Sequence, residues 1–306
     1  MNLLEFNNFF PNEASCVADL RNKREAAGIT CKRCGKDRHY WVNSLLRWEC
    51  AGCKACTTLK SGTIMEKSHM PLRIWYMVMH LMTSTKKNIS AVEVQRQTGW
   101  KRYQPIFDMM HKIRASMGKR DSLYELNNVI EADDAFFVAG DAEKDKKEAL
   151  KRGRGSQNQA SVLVMVESAP NPGQDKAYKK NRAMGYAKML VMNELKANDI
   201  DQEVEMAINP AATVLTDGYT GYVGLKDIVF EHMPMVVPPK EAHIKLPWVH
   251  TVISNAKRGI LGIHHSVTKE YLQNYLNEFC YKLNRRNFKT DLFDRMIIAA
   301  ISDTWN

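Results

Sequence analysis

Two sets of side chains in this sequence have the types and spacing for metal chemistry. The first is Cys31-x2-Cys34 followed, fifteen residues on, by Cys50-x2-Cys53. Two such pairs supply four thiolates to one tetrahedral ion. That is the pattern of a structural zinc site, which leaves no open position for a substrate. The second set is spread along the chain. Asp133 stands in "NNVIEADDAFFVAG" (127–140), where Glu131, Asp133 and Asp134 crowd among strand formers. Acids are disfavoured in strands, and three within four positions repel one another unless a cation neutralises them. Asp217 closes "TVLTD" just before Gly218, and His250 lies in "LPWVHTVISNAKRG" (246–259). Lys257 follows His250 at a spacing of about two helical turns, which puts both on one face. Two carboxylates and an imidazole gathered at one point would make a divalent-metal site. The plainer alternatives are a strand end whose acids face water, and a helical histidine that is a surface or hydrogen-bonded core residue.

The elements around these residues decide whether they can meet. "HYWVNSLLRWE", between the cysteine pairs, reads as a β-hairpin, so the first part, 1–70, is expected to be a zinc ribbon with a short N-terminal helix. The apolar run Leu72–Met82 reads as a helix. Ser90-x-x-Glu93 has the form of a capping box opening a second helix, which ends at Gly99. A third begins near Lys101–Gln104 with Pro105 in its first turn. A short helix, a glycine turn and a basic helix is helix-turn-helix order, expected over 71–120, with Lys101, Arg102 and Gln104 placed to reach DNA. A plain helical bundle with a solvated face has the same pattern.

Beyond 121 come strands at 127–140, 160–168 and 185–192, then a helical stretch around 193–207. A strand at 213–217, another at 227–236, a helix at 247–261 and an amphipathic helix from Thr268 follow. This order predicts a ribonuclease-H-like α/β core over 121–306, a mixed five-stranded sheet flanked by helices. In that topology the centre of the first strand adjoins the end of the fourth, so Asp133 and Asp217 face each other and a following helix brings His250 alongside.

Charge sharpens the division. Residues 1–120 carry 21 Lys and Arg against 9 Asp and Glu, while the remainder carry 23 against 25. The whole positive excess lies in the N-terminal part, as expected where a chain meets a polyanion. Seven cysteines, an odd number, tightly paired near the N-terminus and preceded by no basic leader, argue against a disulfide framework and for a cytoplasmic protein. No apolar run reaches the roughly 18 residues that span a bilayer.

With these residues in hand, the chain resembles DDE-type transposases of the ISXO-type (Merlin-related) insertion-sequence family. The resemblance covers nearly the whole chain. It is carried by the ribbon with "GTIMEKSHMPL", by "IEADDAFFVAG", "KRGRGS" and "LTDGYTGY", and most specifically by "KRGILGIHHSVTKEYLQNYLNEFCYKLNRR". It implies Asp133 as first and Asp217 as second catalytic acid, with His250 in the third position, where the family commonly has Glu, and Lys257 as the lysine that follows. Pro247, Phe136 and Ala139 also depart from the family's pattern. The resemblance implies metal-dependent cleavage of DNA and strand transfer, with Mg²⁺ or Mn²⁺ held by Asp133, Asp217 and His250 and structural Zn²⁺ by the four cysteines. Lys257 and Arg258 would meet DNA phosphates. Partners would be double-stranded terminal inverted repeats and target DNA, with a homodimer on paired ends. A transposase-derived DNA-binding protein without catalysis, or a nuclease that cuts but does not join, would share these features.

Overall fold

The computed structural model describes residues 1–140, 158–170, 182–235 and 245–302. The chain divides into two compact units, Met1–Met117 with Asn287–Asn306, and Gly118–Arg286.

The first unit opens with α1 (Leu3–Phe9) and α2 (Glu13–Ala27). Each starts on an asparagine that accepts from a backbone N–H of the first turn, Asn2 from Glu5 and Asn12 from Ser15. Strands β1 (His39–Val42), β2 (Arg47–Cys50) and β3 (Cys56–Thr58) form an antiparallel sheet in that order. Trp41 and Trp48 face each other across β1 and β2 with ring centroids 4.8 Å apart. The expected hairpin between the cysteine pairs is therefore present.

Helices α3 (Leu72–Ser84), α4 (Ala91–Thr98) and α5 (Tyr103–Ser122) follow. Ser90 caps α4 by accepting from Glu93 N at 3.1 Å. The reciprocal half of the box is not made. Glu93 instead pairs with Arg96 at 2.8 Å and accepts from Gln97 at 2.9 Å, both on its own helix. Gly99 ends α4 at φ 67°, a left-handed turn that suits glycine.

The second unit is built on β4 (Val129–Gly140), β5 (Gln159–Pro170) and β6 (Arg182–Met192), an antiparallel meander. Then come α6 (Ala197–Ala207), β7 (Thr213–Asp217), a 3₁₀ segment at Thr220–Asp227 and β8 (Glu231–Met235). The unit finishes with α7 (Pro247–His264), the two-residue β9 (Val267–Thr268) and α8 (Lys269–Asn284). The sheet order is β6-β5-β4-β7-β8, with β7 parallel to β4 and β8 parallel to β7. β9 adds a sixth short strand beside the far end of β4. It is too short to leave a period in the sequence.

Alternation along β4 feeds two cores. Ile130 and Ala132 pack with Leu163, Val204 and Tyr222, on the side covered by α6. Ala135, Phe137 and Ala139 pack with Val249, Val252 and Leu276, on the side covered by α7 and α8. "KRGRGS" (151–156) and residue 236 of the expected fifth strand lie outside the described residues.

The chain then returns to the first unit with α9 (Leu292–Ser302). The sequence reading ran its third part to 306. Phe293 instead sits among the rings of Phe6, Phe10, Tyr76 and His80, with centroids 5.7 to 5.9 Å away. Aromatic burial of this size decides where the helix lies. No helix among the described residues is long and apolar enough to cross a membrane.

Candidate active site

The β4–β7 ladder fixes the two aspartates. Its pairs are Val129 with Thr213, Ile130 with Val214 and Glu131 with Leu215. The same offset sets Asp133 against Asp217, two residues past the last pair, where the strands have parted. Side chains alternate along a strand, so Glu131, Asp133 and Asp217 share the face of Leu215, which packs with α7. Asp134 alternates toward the other face, that of Tyr222.

Helix α7 runs along this face in the direction of β4. Its first turn meets Glu131, and its His250 Nδ1 lies 3.5 Å from Asp133 Oδ2. Lys257 Nζ then stands 5.6 Å from the centroid of the Phe137 ring. His250 and Lys257 thus both face β4, as their spacing predicts. Pro247 occupies the first turn, where its missing N–H costs nothing.

Burial, together with the neighbouring charges of Asp134 and Asp217, pushes the Asp133 carboxyl from 3.8 up to about 7. Asp217 Oδ1 accepts from Tyr219 N at 3.0 Å, which turns the chain sharply after β7. Among the described residues, Asp133, Asp217 and His250 do not close to ion-holding distance together. Asp133 and His250 touch, and Asp217 acts on Asp133 through its charge.

Sequence reasoning missed two residues here. Tyr222 is buried with its hydroxyl unbonded, and burial and the charges of Asp134, Asp133 and Asp217 push its phenol well above the ordinary range. Its place five residues after Asp217 was the available signal. Glu131 is fully buried, and its carboxylate accepts from Ser168 Oγ at 2.6 Å, Trp248 N at 2.7 Å and Val249 N at 2.9 Å. Nothing local in the sequence announces that role.

The four cysteines of the first unit are assembled. Their sulfurs all lie within 4.8 Å of one another, the only such group of metal-ligating side chains among the described residues. Backbone N–H groups of Cys53 and Gly52 hold the Cys50 thiol down to about 6, which favours the thiolate a metal needs. The donor set fits a tetrahedral thiophilic ion. Cys16 and Cys280 are buried elsewhere, and burial raises both thiols, Cys16 to about 12.

The residues expected to reach DNA are placed unevenly. Lys101 and Arg102 are exposed in the turn ahead of α5, not on the helix itself. They line a cleft of about 810 Å³ together with His69, Trp100 and Lys112. Gln104 is exposed on the first turn, its amide donating to Asp108 Oδ1 at 2.7 Å. Arg258 is exposed on α7 and donates to Ser254 and Asn255 of the same helix.

Comparison with known proteins bears on the same residues. An uncharacterised protein in transposable element ISH50 of Halobacterium salinarum is 25% identical over 296 residues, spanning 92% of this chain and 93% of the relative. Two solved structures align with 75% of the chain at a TM-score of 0.28. They are the Mos1 strand transfer complex (11% identity, 78% of that chain) and a pre-cleavage Mos1 transpososome (9%, 79%). The family model of the ISXO2-like transposase domain matches residues 125–284, just over half of the chain and the whole stretch from β4 to α8. Both aspartates, His250 and Lys257 fall inside that match, and the chain belongs to the ISXO2-like transposase family.

Proposed function

We propose that the chain is an insertion-sequence transposase that binds the terminal inverted repeats of its element and cuts and joins DNA at Asp133, Asp217 and His250. One observation carries this reading: two aspartates in register on one sheet face, under a helix whose histidine touches the first of them. The strand order, a three-stranded meander extended by two parallel strands, supports a ribonuclease-H-like core.

Asp133, Asp217 and His250 would hold the divalent ions. Bound there, Mg²⁺ or Mn²⁺ supplies charge stabilisation for the attacking and leaving oxygens of an in-line phosphodiester displacement. Asp133, which carries its proton near neutral pH because of its burial and the charges of Asp134 and Asp217, would give that proton up to a bound cation. Lys257 presents a point charge beside the site, suited to a DNA phosphate. Water or a 3′-hydroxyl attacks the phosphorus, and the 3′-oxygen of the cut strand leaves. In the first unit the four cysteines would hold Zn²⁺, and Lys101 and Arg102, ahead of α5, would meet the duplex backbone.

The test is cleavage and strand transfer on linear double-stranded DNA carrying the element's ends, with Mg²⁺ or Mn²⁺. Asp133→Ala and Asp217→Ala are expected to abolish both steps while leaving DNA binding in place. Cutting without joining would make the chain a nuclease, and binding without either would make it a DNA-binding protein only.

A further inference from the structure

Helix α7 lacks a cap of its own. Leu246 stands at the N-cap position, and its side chain makes no capping hydrogen bond. The orphan N–H groups of a helix start must be satisfied somewhere. Pro247 has none to satisfy, and His250 N donates to Leu246 O at 3.5 Å. Trp248 N and Val249 N both donate to Glu131 Oε2, from a strand more than a hundred residues earlier in the chain.

The other oxygen of Glu131 is held as firmly. Ser168 Oγ donates to it at 2.6 Å and itself accepts from Arg182 Nε at 2.8 Å. Arg182 also donates to the Ser168 carbonyl, and its own carbonyl accepts from Trp248 Nε1 at 2.9 Å. The register between β5 and β6 shifts between Val166 and Ser168, the kind of irregularity that re-aims a side chain. Glu131 and Ser168 are both fully buried. A carboxylate at a helix N-terminus also gains from the helix dipole.

We propose that Glu131 is a positioning residue. It anchors the start of α7 to β4, two residues from Asp133, and so sets where His250 and Lys257 stand along the strand. Val249 and His250 are consecutive residues of the helix, which leaves little slack between anchor and ligand. This inference rests on the active-site reading above. It assigns Glu131 no contact with metal or DNA.

The experiment compares full-length Glu131→Ala, Glu131→Gln, Ser168→Ala and Asp133→Ala. Backbone amide exchange over α7 is read without DNA, and cleavage is measured against Mn²⁺ concentration. In Glu131→Ala the first-turn amides of α7 are expected to lose protection. Cleavage is expected to fall by about a hundredfold, as a displacement near 1 Å can cause. The half-saturating Mn²⁺ concentration should rise by about tenfold, as for loss of an outer-shell partner. A structural defect would lower the active fraction without moving that concentration. Glutamine keeps an oxygen for both amides and should restore most of the protection and activity. Ser168→Ala, the milder change should Glu131→Ala fail to fold, is expected to shift both readouts the same way by less.

Unchanged amide protection in Glu131→Ala, or unchanged Mn²⁺ dependence with full cleavage, overturns the positioning role. Asp133→Ala separates this from the reading beneath it: it should keep α7 protected and lose all cleavage. An Asp133→Ala protein that still cuts overturns the active-site reading instead, while the exchange data still decide whether Glu131 anchors the helix.

Discussion

His250 Nδ1 and Asp133 Oδ2 lie 3.5 Å apart, an imidazole of α7 against a carboxyl of β4 whose proton is held to about 7. Without a cation, the Asp133 carboxyl keeps its proton up to near neutral pH beside this imidazole. With one, both must present lone pairs.

The first prediction follows from the sign of the Asp133 shift. The folded chain keeps a proton that the unfolded chain releases between 3.8 and about 7. Stability in chelator should therefore fall as pH rises through that window, and level off below it where both states are protonated. Thermal melts of the wild type and Asp133→Asn check this, since the asparagine variant should lack that part of the slope. Mn²⁺ should raise the melting temperature more at pH 7.5 than at pH 5.5.

A second prediction concerns the ion. Imidazole nitrogen suits later transition metals better than Mg²⁺, which prefers oxygen. Mn²⁺ should support cleavage at least as well as Mg²⁺. His250→Glu should recover or exceed wild-type activity in Mg²⁺. A His250→Ala protein with full activity in both metals would remove His250 from the ligand set.

The tetracysteine cluster gives a third. Metal analysis should find one zinc per chain, lost in Cys50→Ser. Zinc removal should unfold the β1–β3 sheet, because so small a sheet has little core of its own. The far-ultraviolet signal and melting of the second unit should survive.

The turn before α5 supplies the fourth. If Arg102 meets a phosphate, Arg102→Ala should weaken binding evenly across DNA sequences. It should also lower the slope of log affinity against log salt by about 1. A change confined to one DNA sequence would instead mark a base contact.

Local rules made much of this structure readable. The spacing of the cysteines, the stop at Gly99, the start at Pro247 and the end of β7 at Asp217 each depend on a few adjacent residues. The shared face of Asp133 and Asp217 follows from strand order and a period of two. What escaped was set by distant parts of the chain. Glu131 looked like one more acid in a crowded strand, and its partners, Ser168, Trp248 and Val249, come from β5 and α7. Phe293 carries no mark that its neighbours are Phe6 and Tyr76. Ser90 and Glu93 fit the box pattern, but Arg96 competes for the glutamate.

The return of α9 to the first unit makes the second unit an insertion within the first. Its two borders are tied together: the Asp121 carboxylate accepts from Asn284 Nδ2 at 3.0 Å and from Arg285. A polypeptide that stops near residue 120 would lack Phe293 and leave Phe6, Phe10 and Tyr76 open to water. Such a fragment should aggregate. Excising the insertion and bridging the gap with a short linker keeps that aromatic cluster whole, and is the sounder way to isolate the first unit for separate study.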